Sequence, residues 1–410
     1  MATIKTAQTG DWNDTNTWVG GVVPAPCDAA VIDDTHVVTV TADLAGVNPD
    51  SLAADTAPDT GTIHFGSYEF QVGNIIELDR LTATAGGATF QANSIDLGPD
   101  GTLTLTDDCS LTGDFLLDGG EIAFGPYRIA VFGDITRTSG TDSADTGGGF
   151  DVSQDADVVW ANSYSFIEWG ILAGVTATVT GGVGGRKFIA DATSSIVGGG
   201  NTLTIWNPNA NNYLSLPVGV ADNLNVQARS PDGRTNSYDV DTGGGTYFLF
   251  PASAFGTVTQ SGDLYCSTCT LQPYADGTTE TFNMDGRLIA TGIVTLGGAP
   301  NRSCILNLSD KVHSIGGLVH GNAANENNEL NLGACTLLST GTVDGNNDEA
   351  DPMVVTASGA NLHGGTIQDT TVTGLIHAWG VTDGAGNTNV AHESSIGPGA
   401  NVGTGIGMAA

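Results

Sequence analysis

Basic residues are scarce in this chain. Its 410 residues contain 11 Lys and Arg against 45 Asp and Glu, a formal net charge of −34 at pH 7. Phosphate binding depends on Lys and Arg, so the balance excludes nucleic acid as a partner. An anionic membrane surface would repel the chain for the same reason. Long apolar runs are missing too: none approaches the ~18 residues a spanning helix needs, so no membrane insertion is expected. The opening Met1-Ala2-Thr3-Ile4-Lys5-Thr6 lacks the basic stretch and apolar core of an export signal, so synthesis as a soluble cytoplasmic chain is expected. Proline is sparse, at 14 residues, while Gly reaches 59. Gly at about twice its usual share, without a collagen period, indicates many tight turns rather than disorder. The six cysteines (27, 109, 266, 269, 304 and 335) are too scattered for a disulfide framework, and cytoplasmic thiols start reduced. Cys266-Ser267-Thr268-Cys269 is the one close pair. A zinc site needs four ligands and no second pair supplies them, so small buried hydrophobes or a late-forming bridge is the expectation.

What is present is a repeat. Ile305-Leu306-Asn307-Leu308 aligns with Glu329-Leu330-Asn331-Leu332 at an offset of 24 residues. The same offset carries Gly317 onto Gly341 and Val319 onto Val343, and a further period carries Gly341 onto Gly365 and Val343 onto Ile367. Backwards, Asn307 falls on Asn283, and a one-residue slip places Gly317 and Val319 on Gly292 and Val294. The apolar runs are short, alternating and punctuated by Gly, Asn and Asp, which reads as strands joined by turns. A unit of this size cannot bury its apolar face alone, so neighbouring units must stack to supply the core. The fold class expected is all-β: a parallel β-helix (β-solenoid) with a β-sandwich-like middle region.

Five segments follow in order. Residues 1–60 carry Gly10-Asp11-Trp12-Asn13, Thr17-Trp18-Val19-Gly20-Gly21, Pro24 and Asp28 ahead of the first strand-like run, an N-terminal cap and attachment segment. Trp12 and Trp18 are expected to cover the open strand edge at the solenoid's end, with carbohydrate contact as the other role open to them. Residues 61–138 form a first solenoid block with strands such as Thr102-Leu103-Thr104-Leu105 and turns such as Pro99-Asp100-Gly101. In 139–280 the texture changes: Trp160, Tyr164, Phe166, Trp169, Trp206, Tyr213, Tyr238 and Tyr265 concentrate there. A β-sandwich-like insertion and wider, decorated rungs both fit, as does a duplication marked by the Asp-Thr-Gly-Gly-Gly copies at 145–149 and 241–245. Residues 281–373 are the block of 24-residue rungs. Residues 374–410 are a closing segment with a small, Gly-rich tail.

Chemistry-bearing sets are scarce. Asp155/Asp157 and Asp239/Asp241 have the same-face spacing of a strand, and paired carboxylates ~5–9 Å apart cut glycosidic bonds. Among so many acidic residues such pairs arise by chance. Arg186-Lys187 is the one adjacent basic pair, too little to hold an acidic sugar, which leaves a neutral glycan open. Asp344-Gly345-Asn346-Asn347-Asp348 begins like a calcium loop, but Glu349 stands where Gly is required and Val355 where the bidentate carboxylate belongs. His313, His320 and His363 share no ligand spacing. The expectation is a protein that is not an enzyme, with no catalytic, cofactor-binding or metal residues and no cofactor.

The opening segment resembles that of phage and bacterial β-helix surface proteins, where a Gly-x-Trp, Thr-Trp-x-Gly-Gly, Pro and Asp pattern precedes the rungs. The run Val381-Thr382-Asp383-Gly384-Ala385-Gly386-Asn387-Thr388-Asn389 is similar to their closing segment. The resemblance implies a structural virion surface protein such as a head decoration, spike or tail fibre, made in the host cytoplasm and released at lysis. It implies a homotrimer that contacts other virion proteins and can touch a host glycan. A tailspike depolymerase acting on a neutral glycan and a subunit of a bacterial surface filament are the alternatives.

Overall fold

The structure is a computed structural model that describes residues 2–383, except 34, 45–48, 55–60, 145–146, 161–164, 207, 209, 230, 232, 252–255, 274–277, 298–301, 321–327, 345–352, 369 and 380. The chain is 60% strand and 2% helix, and winds about 14 turns of parallel β-solenoid. It divides into two compact units, Met1–Val197 and Gly198–Ala410. Among the described residues no helix is long and apolar enough to cross a membrane.

In the first unit the rungs repeat at about 20 residues, as in Thr82 beside Thr102 and Ser94 beside Asp114. Alternation sends every second side chain inward, and register stacks these into columns. One column is Ile76, Ile95, Phe115 and Ile135; another is Phe70, Phe90, Leu111, Val131 and Val152. All of these side chains are buried, each worth about 1.5–3 kcal/mol of apolar transfer. Rungs pack close at the corners. A Cβ on Gly101 would lie 1.9 Å from the Leu78 carbonyl oxygen, so nothing larger fits. The expected turn at Pro99-Asp100-Gly101 is present, with the Gly101 N–H donating to the Gly98 carbonyl at 3.1 Å.

In the second unit the spacing is 24 residues over most rungs: Leu264 pairs with Leu288, Thr281 with Ile305, Ile305 with Glu329 and Thr342 with Thr366. Asn283, Asn307 and Asn331 stack as the repeat requires, and Val343 meets Ile367. Four alignments differ, all by one residue: Gly317 lies beside Ile293 rather than Gly292 and against Thr342 rather than Gly341. Val319 lies beside Thr295 and Asp344, not Val294 and Val343, while Leu318 takes the place between Val294 and Val343. The reason is the core: Val294, Leu318, Val343 and Ile367 are the buried, inward column, and Val319 faces out. The extra residue therefore enters one rung later than the pairing of like residues suggests.

Residues 139–280 do not form a sandwich. The first unit's share pairs in parallel, Arg128 to Gly149 to Glu168 to Lys187. So does the second unit's, Val226 to Tyr247 to Cys269. The register advances by 21, 19 and 19 residues in the first of these stretches and by 21 and 22 in the second, so the expected wider rungs are not realised either and the coil continues at close to the first unit's spacing. Of the aromatics concentrated there, Trp160, Trp169 and Tyr213 are core, and Phe150 joins them, packing on Phe115, Phe124, Trp160 and Trp169 at centroid distances of 4.9–5.3 Å. Of the twin Asp-Thr-Gly-Gly-Gly stretches, 145 and 146 lie outside the described residues, as does 384–410 of the closing segment.

Corners are fastened by carboxylates. Asp114 Oδ1 accepts the Asp134 N–H, and Asp134 Oδ1 accepts the Asp157 N–H, both at 2.8 Å. In the second unit Asp239 Oδ1 accepts the Asp263 N–H at 2.8 Å, and Asp263 Oδ1 accepts the Arg287 N–H at 2.7 Å. Such charge-assisted bonds satisfy backbone donors that a corner removes from the ladder. Aspartates outnumber glutamates four to one in the chain, as expected when a short side chain must reach one rung.

Candidate functional site

The carboxylate pairs singled out from the sequence sit at these corners. Asp155 accepts the Thr176 N–H at 2.7 Å, while Asp157 is exposed on its strand. Asp241 accepts the Gly219 and Gly243 N–H groups, each at 2.9 Å, and Asp239 accepts that of Asp263. Three of the four carboxylates therefore fasten backbone. Burial pushes the Asp263 carboxyl up, but Arg287, hydrogen-bonded and charged beside it, outweighs that and holds it below its ordinary value. The calcium-like loop from 345 onward and residues 321–325 lie outside the described residues. Among the described residues no group of three His, Cys, Asp or Glu is placed to hold a metal ion.

Trp12 and Trp18 are buried at 0% and 1% exposure and meet edge to face at 4.9 Å, with Trp12 continuing onto Phe70 at 5.1 Å. The Trp18 Nε1–H donates to the Trp12 carbonyl at 2.7 Å. They fill the coil next to its first rungs and are not available to a sugar.

Four of the scarce cations cluster in the first unit. Arg128 donates to Asp151 through Nε and Nη2, to the Gly147 carbonyl at 2.9 Å and to the Phe150 carbonyl at 2.6 Å. Glu168, two rungs on, accepts the Gly147 N–H at 3.0 Å and lies 3.5 Å from Lys187 Nζ. Gly149 and Gly170 make this possible, since a Cβ on Gly170 would sit 2.3 Å from Asp151 Oδ1. Arg137 pairs with Asp142, whose carboxylate also accepts the Ser165 hydroxyl at 2.7 Å, and its guanidinium lies over the Trp160 ring. Arg186 covers the Phe166 ring at 4.2 Å. Arg128, Arg137, Arg186 and Lys187 are thus all engaged within the coil.

The second unit presents a different surface. Trp206, Arg229 and Phe250 stand side by side on successive rungs, facing outward, with Gln227 and Phe248 in the adjacent column. Phe248 and Phe250 stack at 5.7 Å and 27°, and Arg229 Nη2 donates to Gln227 Oε1 at 2.8 Å. All five are half-buried. Flat rings flanked by an amide and a guanidinium can stack against the apolar face of a sugar and bond its hydroxyls. Of the middle-region aromatics, Trp160, Trp169 and Tyr213 are interior and cannot line such a surface; Tyr164 lies outside the described residues. The sequence signal for this face is the spacing of Trp206, Arg229 and Phe250, which becomes visible only once the rung lengths are known.

His313 is fully buried, with the Leu288 N–H donating to Nδ1 at 3.0 Å and Nε2–H donating to the Ser309 carbonyl at 3.0 Å. These partners fix the neutral tautomer, and burial lowers its pKa. His363 is half-buried on its strand.

In comparisons with protein-family models, curated proteins and solved structures, nothing matches this chain. The class is therefore set by the fold itself: a parallel β-solenoid protein.

Proposed function

We propose that this chain is a structural surface protein of a bacteriophage virion, a head decoration, spike or tail fibre, that assembles as a homotrimer and contacts other virion proteins. It performs no catalysis, and it reaches the virion from the host cytoplasm. The observation that carries the reading is the wall itself: parallel rungs fastened corner to corner by aspartates, a construction suited to stiffness and to a negatively charged exterior. The resemblance of the opening segment to phage β-helix proteins supports the virion setting. Ile293, Val312 and Leu338 are 48%, 52% and 39% exposed in the second unit, apolar groups that packing around a threefold axis would cover. Native mass spectrometry at micromolar concentration should show three chains, and a monomer there would overturn the trimer. Antibodies to the chain should decorate intact virions from a lysate, and labelling confined to virion-free fractions would overturn the setting.

The outward face of Trp206, Phe248 and Phe250 favours a second role, contact with a neutral host glycan. Titration with neutral host polysaccharide should quench Trp fluorescence in the parent chain and not in Trp206→Ala. Release of reducing ends, lost in Asp239→Asn or Asp241→Asn, would instead make the protein a depolymerase.

A further inference from the structure

The Cys266-Ser267-Thr268-Cys269 corner links the strands Leu264–Cys266 and Thr268–Leu271 of the second unit. Both cysteines point into the coil, at 5% and 1% exposure, and their thiols hydrogen-bond to each other. The corner is held from both sides. The Ser267 N–H donates to the Gly245 carbonyl at 2.8 Å, and the Ser267 carbonyl accepts the Gly292 N–H at 2.6 Å. Tyr247 stands in register with Cys269 on the preceding rung and is likewise buried. The other thiols are placed differently: Cys27 is exposed, Cys109 Sγ donates to the Asp107 carbonyl at 3.5 Å, and Cys304 Sγ donates to the Leu271 carbonyl at 3.1 Å.

We propose that Cys266 and Cys269 form an oxidation site, closing a disulfide across this corner when the chain meets a small-molecule disulfide such as glutathione disulfide. The more exposed Cys266 loses its proton and attacks one glutathione sulfur, displacing a glutathione thiolate. Cys269 then loses its proton and attacks Cys266 Sγ, displacing the second glutathione. Two protons and two electrons leave the protein, and one glutathione disulfide becomes two glutathione thiols. Burial sets the timing. Thiolates are the reactive species, and the contact with Cys266, then burial, raise the Cys269 pKa. Closure therefore belongs to folding or local opening of the rung, not to the closed coil.

The test uses the full chain carrying Cys27→Ser, which removes the exposed thiol and leaves five of the six. It is refolded from urea in a glutathione redox buffer or under reductant, then denatured for thiol titration and intact mass. Three titratable thiols, a mass lower by two hydrogens, and a peptide map joining residues 266 and 269 are expected in the redox buffer, against five thiols under reductant. A second arm treats the folded chain with glutathione disulfide at pH 8 and should show slow loss of the same two thiols, so failure to refold does not block the test. Adding Cys269→Ser should leave a stable glutathione adduct on Cys266 and no bridge. Five thiols in both arms, a bridge between other cysteines, or an adduct that never closes when both cysteines are present would overturn the proposal.

Discussion

Asn307 offers a sharp test of how the second unit is held together. Its Nδ2 donates to Asn283 Oδ1 at 2.7 Å, and its Oδ1 accepts from Asn331 Nδ2 at 2.7 Å. Asn307→Asp keeps the shape and the acceptor but removes the donor, so a carboxylate oxygen faces the Asn283 oxygen at that separation. A net hydrogen bond is worth roughly 0.5–1.5 kcal/mol, and stranding its acceptor costs more. The column is half-buried, so a loss of about 1–2 kcal/mol is expected at pH 7. In native-state hydrogen exchange that is roughly 5–30-fold faster opening, confined to the strand Arg302–Leu308 and its two neighbours. Lowering the pH to about 3, below the ordinary Asp value, restores a proton that can be donated to Asn283, and most of the protection should return. Asn307→Thr, unable to span the column at any pH, should lose protection equally at both. If Asn307→Asp behaves like Asn307→Thr, or exchanges no faster than the parent chain, the column does not hold the rungs.

Acidification should act with opposite signs on His313 in the second unit and on Glu77 and Asp96 in the first. His313 binds its proton less readily when folded than the ordinary 6.5, so the unfolded chain takes up more protons as pH falls. Its contribution is complete above pH 6.5 and lost below, with Lys311 opposing and Asp263 favouring protonation; thermal melts of the second unit's core should show this, and His313→Asn should flatten the slope. Glu77 and Asp96 are raised, by burial first and then by neighbouring Asp96, Asp79 and Asp118. Their contribution is present at acid pH and lost as pH rises through the folded values, so Glu77→Gln should slow exchange in the first unit at pH 7 and change nothing well below 4.5. Gly101→Ala should cost at least ~2 kcal/mol, because the contact at 1.9 Å is with backbone; a melting point within a degree of the parent would refute the close approach.

The second unit's rungs were legible because Asn recurs at a fixed offset and makes its own column. The alignment slipped at Val319 because matching like residues ignores which of two adjacent apolar side chains faces in; Leu318 does. Rungs of the first unit left no such trace. Their inward columns mix Ile, Phe, Leu and Ala, so the 20-residue spacing emerges only from the pairing. The middle stretch misled because Phe150, Trp160 and Trp169 look like a second layer's aromatic core, whereas they fill one coil. The Asp155/Asp157 and Asp239/Asp241 spacing is what chance gives among so many acidic residues, whereas the excess of Asp over Glu is the signal that points to corner fastening.

The asparagine column also makes length an inherited, countable quantity. Each period in the second unit adds one layer of about 4.8 Å, and the layers of Asn283, Asn307 and Asn331 meet there through the same side chain. A gene that gains or loses one whole period re-forms this column, while a change of any other size leaves two layers out of step. Reach can thus lengthen or shorten in discrete increments under selection, with no new interface to invent at each one.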